Sequence, residues 1–197
     1  MINRMAVSDG ELIERFNNEN KEAFEELIQR YQHKVYNTTF RMLGNHEDAL
    51  DMAQETFIRV YKSLASFKKN SSFSTWFFRI TTNICRDELR KRQRKLKTLS
   101  ISEGEEHNKI ILEDDEKNNP EKISISQELS TTIQEKVNQL PTEQRMVFVL
   151  REFQDLSYQE IADILDISMG TVKSRLSRAR KALREDLNKI IKNGGLE

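Results

Sequence analysis

The chain has 197 residues, enough for one ordinary domain or two small ones. With only six glycines and two prolines it lacks the punctuation of β-hairpins and phosphate-binding glycine loops, so an all-α protein is the reading. A hydrophobic share of 37% beside 32% charged residues suits two small helical units with much wetted surface better than one thick core.

No apolar run approaches the roughly 18 residues of a membrane span, and the first residues lack a signal-peptide core. Cys85 is the only cysteine, so no internal disulfide and no multi-cysteine zinc cluster can form. A reducing cytoplasm is the expected location. The net charge of zero hides segregation. Residues 75–97 carry eight basic and two acidic side chains, and residues 168–192 the same numbers. The stretches 98–125 and 126–167 between them each carry three basic and eight acidic side chains. Two separated basic stretches are expected when two modules touch one polyanion; two solvated helix faces are the alternative.

Residues 9–67 read as helices. Phe24, Leu27, Ile28, Tyr31, Val35 and Tyr36 recur at spacings of three and four and form one apolar stripe. Gly44-Asn45 breaks the run, and Asn45 or His46 starts the next helix, with Leu50, Ala53, Phe57, Val60, Tyr61 and Leu64 as its buried side. Glu47, Asp48, Asp51 and Glu55, with Gln54 beside them, make an acidic face that is either solvated or docked on a basic partner.

A polar interruption at 67–73 precedes Ser74, a good N-cap, and a long helix over 75–95. That helix opens with Trp76, Phe77 and Phe78 ahead of Arg79, Arg86, Arg90 and Arg92. Aromatic rings beside cations suit single-stranded or melting DNA, and the preceding Asn and Ser residues can bond an extruded base. The competing reading is that the rings are core and the cations complement the helix dipole.

Residues 96–125 mix Ser, Glu, Asp, Asn and Pro120 with few large apolar groups and read as a flexible linker. The helical pattern resumes at Ser126 and stops at Pro141. Ser157 and Glu160 then have capping-box spacing; Ile161, Ala162 and Leu165 face inward, 166–170 turns, and Val172, Leu176, Ala179 and Leu183 line a second helix. This is a helix-turn-helix whose outer face offers Thr171, Lys173, Ser174, Arg175, Arg178 and Lys181 to a major groove. Lys173, Ser174 and Arg178 are the base-edge candidates; Arg175, Arg180 and Arg184 suit phosphates.

Nothing supports catalysis or a cofactor. His33, His46 and His107 fall on different elements, no glycine-rich phosphate loop exists, and Cys85 reads as a small core residue.

Three motifs together, DALDMAQETFIRVY over 48–61, FSTWFFRITTN over 73–83, and Leu140-Pro141 with the helix-turn-helix, resemble the extracytoplasmic-function (ECF) sigma factors of bacterial RNA polymerase, in order and over about 22–187. The resemblance implies two helical domains: residues 1–95, gripping the polymerase clamp and opening the −10 element, and residues 126–192, reading the −35 element. It places Asp48, Asp51, Gln54, Glu55 and Phe57 against the clamp. Asn70, Ser71, Ser72 and Phe73 would form a base-capturing loop, with Trp76, Arg79, Asn83 and Arg86 behind it. Thr171, Lys173, Ser174, Arg175 and Arg178 would read the −35 duplex. The partners implied are core polymerase, promoter DNA and an anti-sigma factor, with no small-molecule substrate. A free-standing helix-turn-helix regulator explains 126–192 but leaves the aromatic-basic helix and the acidic face without a role. An RNA-binding or phosphatase-like signalling role would need a ligand or catalytic constellation that the sequence does not supply. The flexible linker and the segregated charge add an expectation that the two domains close on each other and mask both basic helices.

Overall fold

The structure, a computed structural model, describes residues 7–68, 71–102 and 125–193. Eight α-helices and one short 3-10 turn make up the described residues, and no strand occurs among them. The helices are α1 Asp9–Asn17, α2 Glu22–Leu43, α3 His46–Ser63, α4 Phe73–Ser102, α5 Ile125–Gln139, α6 Thr142–Glu152, α7 Tyr158–Leu165 and α8 Met169–Asn193.

Local chemistry sets the helix ends. Ser8 accepts at its Oγ from the Glu11 amide (3.2 Å) to start α1, and Asn45 accepts at its Oδ1 from the Asp48 amide (3.0 Å) to start α3. Gly44 ends α2 in the left-handed region, at φ 75°. The cap of α4 is Ser72 rather than Ser74: its Oγ accepts from the Thr75 amide at 3.0 Å, which brings Phe73 into the first turn. At its other end α4 passes residue 95 and runs to Ser102, because the Arg, Lys and Gln of 90–95 are good helix formers. The start of the expected linker is therefore helical, and 103–124 lies outside the described residues.

Two buried clusters hold the chain. The first joins Leu12, Ile13, Phe24, Leu27, Tyr31, Val35, Val60, Leu64, Phe73 and Phe77 from α1 to α4. Burying each large side chain contributes about 1.5–3 kcal/mol. Of the expected inward face of α3, Ala53, Val60 and Leu64 are buried and Phe57 packs against the core, but Ala49 and Thr56 extend the buried side in place of Leu50 and Tyr61. Leu50 and Tyr61 are consequently exposed, with Tyr61 laid edge-on against Phe16 and Phe24.

The second cluster crosses the expected boundary. Val137, Leu140, Met146, Val147, Val149, Leu150, Ile161, Leu165, Val172 and Leu176 share it with Met42 and Leu43 of α2 and with Phe78, Cys85 and Leu89 of α4. The aromatic-basic helix thus has two apolar faces, one for each half of the chain. Cys85 is fully buried there, as expected for a core thiol, and burial pushes its pKa up to about 12.

Candidate nucleic-acid interface

The helix-turn-helix is built as its sequence suggests. Ser157 accepts at its Oγ from the Glu160 amide (3.2 Å), and Glu160 accepts at its Oε2 from the Ser157 amide (2.8 Å). Asp166 takes the left-handed conformation that ends α7, and the Ile167 amide donates to the Ala162 carbonyl at 3.1 Å. Ser168 then accepts from the Thr171 amide (3.1 Å) and starts α8. Ala162 is buried, its small side chain letting α7 approach α8.

The outer face of α8 is not uniform. Lys173, Ser174 and Arg178 are exposed, and neither cation has a carboxylate partner among the described residues. Thr171 is half-buried and shares its hydroxyl with Ser168 (2.9 Å). Arg175 is half-buried, with Nη1 lying 2.7 Å from Oε2 of Glu143, within ion-pair range but off the hydrogen-bond axis. Arg180 donates to Glu152 at 2.6 Å. Two of the three expected phosphate contacts are thus engaged within the protein.

On α4, Trp76, Arg79, Asn83 and Arg86 follow one another at helical spacing. Phe73 is buried, not presented: its ring meets Tyr31, Phe67, Trp76 and Phe77 at centroid separations of 5.4–5.8 Å, a pedestal beneath the loop. Ser72 spends its hydroxyl on the helix cap, Ser71 is exposed, and Asn70 lies outside the described residues. Arg79 donates to the carbonyl oxygen of Asp163 on α7. Arg79, Asn83 and Arg86 together with Ile164, Leu165 and Asp166 line a cleft of about 330 Å³. The expectation that closure masks both basic helices is not met: α4 packs against α7, yet Arg79 and Asn83 stay exposed and only Arg86 is half-buried. The buried stripe of α8 already packs inside its own unit, so its cationic face has nothing left to turn inward.

The acidic face is also sorted by partner. Asp51 and Gln54 are exposed; Asp48 lies 2.5 Å from Arg92 of α4, and Glu55 lies 2.6 Å from Arg59. Phe57 is turned inward, its ring 5.6 Å from that of Phe77. Sequence reasoning missed Leu50 and Ile58, exposed at 42% and 48% beside this face. Ile58 lines a shallow groove of about 470 Å³ with Met52, Asp51, Gln54 and Glu55.

Comparison with known proteins gives the family. Residues 27–95 match Sigma-70 region 2 and residues 130–183 match Sigma-70, region 4. The ECF RNA polymerase sigma factor SigW of Bacillus subtilis is 41% identical over 173 residues, 86% of this chain and 91% of that protein. The RNA polymerase sigma-H factor of Pseudomonas aeruginosa is 34% identical over 191 residues, covering 93% and 96%. Among solved structures, the sigma factor RpoE of Bartonella quintana in complex with the anti-sigma factor NepR superposes with a TM-score of 0.65 at 25% identity, over 84% of this chain and 96% of that one. CnrH, solved with the cytosolic domain of CnrY, has the same fold: TM-score 0.65, 24% identity, covering 90% and 96%. A helical chain that carries both of these regions is a promoter-specificity subunit, and this chain belongs to the sigma-70 family as an ECF sigma factor. It binds core RNA polymerase and directs promoter-specific initiation of transcription. No described helix is long and apolar enough to cross a membrane.

Proposed function

We propose a division of labour along the chain in which residues 1–95 grip the polymerase clamp and open the −10 element, residues 126–192 read the −35 duplex, and 96–125 link them. The exposed Lys173, Ser174 and Arg178 on the second helix of the helix-turn-helix carry this reading. Lysine and arginine suit guanine edges, and hydroxyls suit either base of a pair. Thr171 and Arg175 serve the same duplex from the flanks of that face.

Asp51 and Gln54, flanked by Leu50 and Ile58, form the clamp-binding face. Exposed carboxylates beside exposed apolar groups fit a basic, partly apolar helical surface. Asp48 and Glu55 set the charge of that face, and Phe57 supports it from beneath. Ser71 and Ser72 border the base-capture site, and Asn70, outside the described residues, is assigned to the same base by its sequence alone. Trp76, Arg79, Asn83 and Arg86 continue the path of the melted strand, where stacking offsets an unstacking cost of a few kcal/mol per step. The protein works in the cytoplasm, performs no catalysis of its own, and has an anti-sigma factor as a regulatory partner, a class of partner seen on the RpoE relative.

Run-off transcription by core polymerase on genomic DNA of the source organism tests the reading. Discrete new start sites are expected with the protein present and are lost when Asp51 and Glu55 are both reversed to Lys. Starts that survive the double reversal would contradict the clamp assignment. No starts, with salt-sensitive duplex binding in the absence of polymerase, would favour a free-standing regulator.

A further inference from the structure

Tyr31 is 4% exposed in the core of α1–α4, at a position where phenylalanine would fill nearly the same space. A buried phenol without a partner is costly, and this one has a carboxylate. Its hydroxyl donates to Oδ2 of Asp9 at 2.5 Å, and Arg30 donates to Oδ1 of the same side chain, also at 2.5 Å. Asp9 stands in the first turn of α1, where the helix dipole favours a negative charge. Burial and the Asp9 bond both raise the Tyr31 pKa, so the donor keeps its proton.

The ring of Tyr31 reaches the start of α4. It stacks on Phe77 at 4.9 Å and 28°, and Phe73 meets it edge-on at 5.4 Å and 87°. Phe73 in turn lies 5.8 Å from Phe67, ahead of the loop, and 5.8 Å from Trp76, behind it. The Ser74 side chain acts on the same Tyr31 hydroxyl. A phenylalanine ring can slide and tilt in such a cluster, whereas a hydroxyl bonded to a charged group fixes depth and tilt together. One hydrogen bond between α1 and α2 therefore sets the height of Phe73 and of Ser71 and Ser72 just before it.

We infer that Tyr31 is a positioning residue for strand capture, held by Asp9 so that α1, which carries none of the residues assigned to DNA, governs how sharply the 70–73 loop selects its base. The inference rests on the base-capture role proposed for that loop. The ring of Tyr31 serves the fold, and its hydroxyl serves the alignment. Selective contacts need their groups held to within about 0.5 Å, and a loop that loses its anchor stays present but slack.

Selection from a promoter library by the full-length protein with core polymerase reads this alignment as a ratio between bases, which the fraction of folded protein does not change. Tyr31→Phe is expected to lower the preference at one position of the downstream block on the order of fivefold, the usual net contribution of one hydrogen bond, and to leave the upstream block as it was. Asp9→Ala should do the same. Asp9→Asn, which still offers an acceptor oxygen, should restore most of the preference, and Arg30→Gln, which breaks the ion pair but leaves the phenol bonded, should keep it whole. Trp76 is the only tryptophan and gives a reading without DNA: its quenching by acrylamide should rise in Tyr31→Phe and not in Arg30→Gln. A downstream preference or a quenching unmoved by Tyr31→Phe, or moved as much by Arg30→Gln, would overturn the positioning role. Ser71→Glu separates the two failures. A downstream block indifferent to Ser71→Glu as well would remove the loop from base capture, and one that responds to Ser71→Glu but not to Tyr31→Phe would overturn the role of Tyr31 alone.

Discussion

Arg175 of the recognition helix is held 2.7 Å from Glu143, in the first turn of α6, so a cation expected to face DNA is already engaged inside the protein. The pair is partly exposed, Arg175 at 23% and Glu143 at 45%, and exposed pairs contribute little to stability. Its effect falls on binding instead. Glu143→Gln frees the guanidinium for a phosphate, and the salt dependence of duplex binding should steepen by about one released counterion. Titrations across salt concentrations with an unchanged slope would show that Arg175 never reaches the backbone.

Gly44 is required twice, once by its φ of 75° and once by the Asn138 side chain. Gly44→Ala is expected to cost about 1–3 kcal/mol in urea denaturation. Adding Asn138→Ala should recover part of the loss, because it removes the group that the new methyl strikes. Strict additivity of the two changes would mean that the close approach is absent in solution.

The capping box of α7 offers a cleaner stability test. Ser157→Ala removes the acceptor for the Glu160 amide and should cost about 1 kcal/mol, with Ser157→Asp close to neutral. Equal midpoints for Ser157→Ala and wild type would show that this cap does not hold the helix.

Two buried acids set the alkaline limit. Cys85 is pushed from its ordinary value of 9.0 to about 12 by burial, and Tyr31 is raised by burial and by its hydrogen bond to Asp9. A folded-state pKa above the unfolded one gives stability that is complete below the unfolded value and lost as pH rises through the folded one. Stability should therefore fall above pH 9, by up to about 1.4 kcal/mol per pH unit for each proton. Cys85→Ala should flatten that fall by one such slope between pH 9.0 and about 12, and an unaltered slope would remove Cys85 from the account.

Much of the architecture was legible because it follows from local chemistry. The breaks at Gly44 and Pro141, the Ser157–Glu160 box and the apolar stripes of α2 and α8 each depend on residues within a turn of one another. What escaped depends on contacts far along the chain. Phe73 looks like a loop residue until the rings of Tyr31 and Phe77 are brought against it, and Ser72 displaces Ser74 as cap because the helix starts early enough to bury that ring. Leu50 and Tyr61 fit an apolar period, but the small Ala49 and Ala53 let α3 sit close to its neighbours on the adjoining face. The two-faced character of α4 was visible as an excess of apolar residues; which half of the chain covers each face was not.

Selection from a promoter library, randomised at both elements and transcribed by core polymerase with this protein, tests the central claim most directly. The account predicts two enriched blocks. Lys173→Ala or Arg178→Ala should relax only the upstream block, by about 1–3 kcal/mol per contacted pair, and Asn83→Ala only the downstream one. Variants that alter both blocks together, or neither, would contradict the assignment of duplex reading to α8 and strand capture to α4.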